Sequence, residues 1–383
     1  MQRYLHNTTF YQNNPTLIQK GTGMNTKIFL CNNEYWQKKK LLPEKTLLSL
    51  NLQADKILAE PELSVTGRTV STHTGNIHDY ISLSKYNWPN PDTPDGFPWI
   101  QRDGIVNPEH EKYDLFPLIR MCRNVGILTA VSHLSEREDC AEKAGRFLKC
   151  WFLAPETAMT PHFKFAQFTP GSCSGHPVGL IDGHFFCELL EAAASLPFTK
   201  EWTPENLESL RLWFTAYFFW LIGDPFPQKE EALRNNHGTW FDAQFVATAV
   251  FLNQPEIARR QLLEKSIQRL SIQLMQPGYQ PFELGRTLSL TYSVFNLEGW
   301  SRLAAYANRL GIDLWNHPCC DGTTLKMGFH LLIPFLCGKQ KWKFPQIGSL
   351  PNSRRLFALV NDFLEPVEDF IPGEELACIP PES

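Results

Sequence analysis

Of its ten cysteines, no two form a Cys-x-x-Cys pair and none stands at a zinc-site spacing from histidine, which argues against a metal-stapled or dithiol protein. The adjacent pair Cys319-Cys320 cannot bridge to itself without strain. No Gly-x-Ser-x-Gly elbow, phosphate-cradling glycine loop or Asp-x-Asp-x-Asp-Gly loop is present. His73 and His78 lie five apart without the spacing of a helical metal pair, so no metal is assigned, and no motif asks for an organic cofactor. Charge of one sign is also lacking: 36 Lys and Arg face 40 Asp and Glu, a formal net charge of -4, and no basic aromatic patch offers itself to nucleic acid. An acidic ligand would have to be held by a few placed residues. The apolar run from Leu212 to Ile222 is far shorter than the roughly 20 residues of a membrane span, so no membrane is implied. Residues 1 to 30 show no basic segment followed by a long apolar core, so no signal peptide is visible.

The chain also lacks a Gly/Ser-rich linker or low-complexity tract at which to divide it. That predicts one domain over 41–383, preceded by a polar arm over 1–40 that lies on the surface or is partly disordered. The 43% hydrophobic content can fill a large core, and 11 Trp, 10 Tyr and 27 Phe suit either that core or stacking on sugar rings.

The apolar period is helical. Ala141, Ala144, Leu148, Trp151 and Phe152 share a face, as do Leu207, Leu210, Phe214, Tyr217, Phe218 and Leu221. Helix starts are marked at Pro43-Glu44, at Thr203-Pro204-Glu205 and at Pro255-Glu256, the last opening a run to Met275; Gly311 can close a helix begun after Tyr292. No sustained β alternation is found. Paired helices of ten to twenty residues predict an all-α array, a toroid or an open bundle. Between Ser71 and Pro108 runs a loop rich in Pro, Asn, Asp and Gly, too long to be a mere connection.

Polar groups concentrate where the helical pattern pauses. Four segments carry them: Gly75-Asn76-Ile77-His78-Asp79-Tyr80 with Lys85-Tyr86-Asn87-Trp88-Pro89; Met159 to Gln167, leading to Asp182; Arg234-Asn235-Asn236-His237-Gly238-Thr239-Trp240; and Glu283-Leu284-Gly285-Arg286 to Tyr292 and Asn296. In this order, from about Ser71 to Trp300, they resemble the alginate lyase superfamily of polysaccharide lyases, in particular its glucuronan- and mannuronan-cleaving branches. The resemblance implies an incomplete (α/α) toroid with a long active-site loop. It also implies an enzyme without a cofactor that cuts an acidic polysaccharide by β-elimination, in the periplasm or outside the cell.

It further implies roles. Elimination across C4 and C5 of a uronate requires that the carboxylate charge be blunted, the C5 proton removed and the O4 leaving group protonated. Asn236 and His237 match the pair that meets the carboxylate, Tyr292 the catalytic tyrosine, and Arg286 the arginine whose charge favours phenolate over a phenol of ordinary pKa ~10. His78, Asp79, Lys85, Tyr86, Trp88, Gln167 and Trp240 are expected to bind substrate as a lid or subsite wall. His162 and His176 depart from the Asn and Arg common in such lyases. Mannuronate and glucuronate both remain open, and no oligomeric state is marked. Two other readings compete: a toroidal glycoside hydrolase using two of Asp182, Asp242, Glu283 and Glu298, or a glycan-binding relative without turnover.

Overall fold

The computed structural model describes residues 26–71, 74–172, 174–351, 356 and 376–380. His73 and Cys173 therefore lie outside the described residues, as does most of the expected N-terminal arm. Its last part, residues 26–40, does not lie on the surface. Ile28, Phe29, Leu30, Cys31 and Trp36 are buried, Trp36 stacks on His133 with ring centroids 4.5 Å apart, and the helix α1 (Asn33–Lys39) carries that tryptophan inward. Four apolar residues in succession outweighed the polar surroundings that suggested an arm.

Helices dominate, and they begin where their capping residues stand. Helix α2 is Glu44–Leu58; α3, Leu115–Leu134, packs against α2 and against α4, Glu138–Leu148. By length and composition α3 could cross a membrane, yet its most apolar window is 72% buried inside the protein, as befits a core helix. Next come α5 (Phe186–Ser195) and α6 (Pro204–Gly223), the latter opened by a capping box in which Thr203 and Asn206 satisfy each other's backbone N–H groups. The short α7 (Pro225–Glu231) leads to α8 (Asn236–Phe251). Helix α8 is buried nearly throughout, its polar Asp242, Gln244 and Thr248 included, packed by α5, by α9 (Pro255–Gln261) and by α12 (Ser289–Arg309). Helix α9 passes through a π turn into α10 (Ile267–Gln273), close to the run expected to reach Met275. The one-turn α11 (Pro281–Leu284) precedes α12, and α13 is Leu325–Leu336.

Tyr292 falls in the first turn of α12 rather than ahead of it, because that helix starts at Ser289, four residues before the start expected after Tyr292. Strand structure, absent from the sequence pattern, appears as two small pairs. Strand β1 (Ile81–Leu83) runs parallel to β4 (Phe165–Phe168), and β2 (Asn87–Trp88) pairs antiparallel with β3 (Ile100–Gln101). Two- to four-residue strands are too short for alternation to register. They order the long loop into a strap.

Candidate active site

The strap is tied at its neck and at its tip. Asn107 N–H donates to the Lys85 carbonyl at 2.7 Å, Asn107 Nδ2 to the Asn87 carbonyl at 2.9 Å, and Arg102 N–H to the Tyr86 carbonyl at 2.8 Å. Beyond β3, Asp103 reaches the link between α11 and α12. Its carboxylate accepts from Arg286 Nη2 at 2.6 Å, from Thr287 Oγ1 at 2.9 Å and from Thr287 N–H at 3.2 Å. The next residue, Gly104, has φ +77°, and a Cβ there would stand 2.5 Å from Thr287 Oγ1, so both the backbone conformation and the close approach call for glycine.

This docking brings Tyr86 onto Tyr292, whose hydroxyl donates to the Tyr86 hydroxyl at 2.7 Å. Arg286 lies over the same ring, its guanidinium carbon 3.8 Å from the centroid. The expectation that Arg286 favours phenolate holds in direction only. Burial raises the Tyr292 phenol above its ordinary value, Tyr86 adds to the rise, and the opposing pull of Arg286 is smaller. Part of the guanidinium charge is met by Asp103, which the Arg286 hydrogen bond holds below the usual carboxylate range. The resting Tyr292 is therefore a neutral phenol.

At the start of α8, Asn235 is the cap, its side chain accepting from His237 N–H at 3.3 Å. Asn236 is fully buried. Its backbone N–H and its Nδ2 donate to the two oxygens of Glu283 at 2.6 and 2.9 Å. In this structure the residue braces Glu283, whose carboxyl burial pushes up to about 7 despite those bonds. His237 keeps 16% of its side chain exposed, with Nδ1 3.0 Å from Glu230 Oε1. Burial first, and then the charges of Arg286, Lys85 and His176, drive its imidazole down to about 3, so it is neutral at working pH. The charges of Arg286 and Lys85 thus reach His237, while Lys85 lies over the Tyr86 ring, and Tyr86 and Arg286 both contact Tyr292.

The other expected binding residues are distributed differently. Trp240 is entirely buried, donating from its indole to the Phe295 carbonyl at 3.1 Å, and belongs to the core. Asp79 is buried and accepts from Thr160 Oγ1 at 2.8 Å and Asn76 Nδ2 at 3.2 Å, while His78 Nδ1 meets the Ala158 carbonyl at 2.7 Å; both fasten the loop. Gln167, half-buried at φ +49°, donates to Asp182 at 3.1 Å. Trp88 is half-buried, with Arg102 over its ring at 5.5 Å and its indole N–H on the Ile105 carbonyl. Asp182 and Asp242, offered as hydrolase acids, are consumed internally, the first by Tyr80, Ser82 and Gln167, the second by Arg269 and Gln261. Among the described residues no cluster of three or more His, Cys, Asp or Glu could hold a metal ion. A hollow of about 560 Å³ near Phe29, Phe198 and Arg211 is lined by none of the site residues.

Glu230 escaped the sequence reading; Glu283 entered it only as a hydrolase acid, and Asp103 only within the Arg102-Asp103-Gly104 run that trails the loop motif, without a role. A helical toroid whose loop strap is seated over a tyrosine, an arginine and a neutral histidine is that of a polysaccharide lyase, and the comparisons agree. A family model described as Alginate lyase matches residues 64–342. A solved alginate lyase from Bacteroides ovatus is 32% identical, with TM-score 0.83 over 89% of this chain and 92% of that one. Alginate lyase A1-III from Sphingomonas species A1 has the same fold at 14% identity, TM-score 0.57 and 91% coverage of each chain. A histidine-to-alanine variant of A1-III, complexed with tetrasaccharide, aligns at TM-score 0.54 over 88% of this chain and 85% of that one. No curated protein sequence matches. The chain belongs to the alginate lyase family.

Proposed function

We propose that this polysaccharide lyase cleaves a β-1,4-linked uronate glycan, mannuronan or glucuronan, by β-elimination, with Tyr292 as both base and acid. The observation that carries the reading is the stack of Arg286 over Tyr292 with the Tyr86 hydroxyl at 2.7 Å. In mannuronate and glucuronate the C5 hydrogen and O4 lie on one face of the ring, so a single phenolic oxygen can take the first proton and return one to O4. Tyr86 supports both states of that oxygen: it accepts from the resting phenol, and by turning its own O–H it can donate to a phenolate. His237, neutral and partly exposed, is assigned to the substrate carboxylate together with the cation of Lys85, stabilising the charge that grows there as C5–H breaks. Asn236 acts behind it, through Glu283. Arg286 keeps the phenolate state within reach. A tetrasaccharide bound to a lyase of the same fold is the class of ligand proposed here.

The test is a substrate panel of polymannuronate, polyguluronate and glucuronan, followed by the ultraviolet absorbance of the C4–C5 double bond. Absorbance with polymannuronate or glucuronan and none with polyguluronate is expected. New reducing ends without absorbance would mean hydrolysis and overturn the reading.

A further inference from the structure

Glu230 touches the site only through His237. It lies on α7, fully buried, with one oxygen 3.0 Å from His237 Nδ1. Its other oxygen, Oε2, meets no donor among the described residues. No Lys or Arg pairs with it there. An ionised carboxylate in such a place would forgo water and gain no cation, with the Leu180 backbone N–H as its one further donor, a loss that the neutral acid avoids. Burial, with the Asp182 carboxyl adding to it and the Leu180 N–H opposing it more weakly, accordingly raises Glu230 well above the usual carboxylate range.

A neutral carboxyl and a neutral imidazole can share one hydrogen bond in only one sense if the acid is the donor. The O–H points at Nδ1, Nδ1 is bare, and the ring proton sits on Nε2. The opposite arrangement, Nδ1–H donating to a carboxylate, would leave Nε2 bare and make His237 a base.

We propose that Glu230 is a positioning residue: as a neutral acid it donates to Nδ1 of His237 and so fixes the imidazole proton on Nε2, from which the ring can donate to the substrate. The Val178 carbonyl also favours a ring N–H there. The inference rests on the proposed role of His237 at the carboxylate. It adds that His237 is a built-in hydrogen-bond donor that cannot serve as a second base, which leaves the proton transfers to Tyr292.

Two measurements on the full chain test it. The first needs no substrate: ¹⁵N spectra of histidine-labelled protein, with the His237 signals assigned by His237→Gln, are expected to show an unprotonated Nδ1 and a protonated Nε2 near neutral pH. A protonated Nδ1 overturns the proposal whatever the enzyme cleaves. The second compares Glu230→Gln with Glu230→Leu on the substrate found active. Glutamine still offers an N–H to Nδ1, so its kcat is expected within about threefold of the parent; leucine offers none, and kcat/KM is expected to fall at least tenfold at unchanged folding. Loss in Glu230→Gln as deep as in Glu230→Leu would mean that an ionised carboxylate orients the ring and would overturn the proposal, as would full activity in both. Should no glycan be cleaved at all, the function fails while the spectra still decide the tautomer.

Discussion

Tyr292 and Glu283 are both shifted from their ordinary values by burial, and each makes a checkable demand. Tyr292 has to lose and regain a proton although its phenol rests neutral, so removing the hydroxyl should abolish the step without removing the ring that Arg286 covers. Tyr292→Phe is expected to lower kcat by about 10²–10⁴-fold, the range of a single proton-transfer group, with KM little changed. A rate near that of the parent would take Tyr292 out of the chemistry. Glu283 makes its demand on stability. Its carboxyl lies near 7 in the folded protein against an ordinary 4.5, so between those pH values the native state holds a proton that the unfolded chain releases. Stability from this group is fully present below about 4.5 and lost as pH rises through about 7, on the order of 3 kcal/mol in all. Glu283→Gln has no such proton. Urea denaturation at pH 5 and pH 8 should show the variant gaining on the parent at the higher pH; a difference that stays constant would place Glu283 at its ordinary value.

At the level of elements, the strap from Lys85 to Asn107 connects loop to catalysis, and its hold on α12 is the Asp103 carboxylate. Asp103→Asn keeps an acceptor for Thr287 but loses the charge that meets Arg286. Since both side chains are about a quarter exposed, the effect on unfolding should be small, whereas kcat/KM should fall about tenfold, the scale of one charge-assisted hydrogen bond. Unchanged kcat/KM would show that Arg286 is held without the strap. The same element marks where sequence reasoning stopped. The polar motifs around His237, Arg286, Tyr292 and Tyr86 were legible because each is local, and they do meet. Asp103 to Arg286 and Asn236 to Glu283 span 183 and 47 residues, and no local spacing encodes such a pair. Trp240 was misassigned for a related reason: its motif placed it among the substrate-binding residues, but it lies on a helix buried nearly throughout, and its ring is core. The helical array was legible from period and caps; the two strand pairs, four residues or fewer in each strand, were not.

Across the whole molecule, a polar seam between α5 and α12 gathers in segments from both ends of the chain. Arg302 on α12 donates to Glu188 on α5 at 2.7 Å, with both side chains essentially buried. One turn further along each helix, Tyr306 donates to Glu191, which also accepts from Cys31 N–H at 2.9 Å. Tyr35 accepts from Ala377 N–H at 2.8 Å, closing the seam over residues at the far end of the chain. Whether the ion pair stabilises the seam or only fixes its register is decided by comparing single and double replacements. Arg302→Leu leaves the Glu188 charge buried without its cation and is expected to destabilise by about 3–5 kcal/mol. Removing both charges should restore most of that loss, because Arg302 already leaves Nε and Nη1 without partners among the described residues, and two leucines there bury apolar surface in place of desolvated charge. Denaturation of Arg302→Leu and of the Glu188→Leu, Arg302→Leu double variant measures both. If the double variant is as unstable as the single, the pair contributes net stability, and the joining of the two chain ends to the toroid depends on charge rather than on packing.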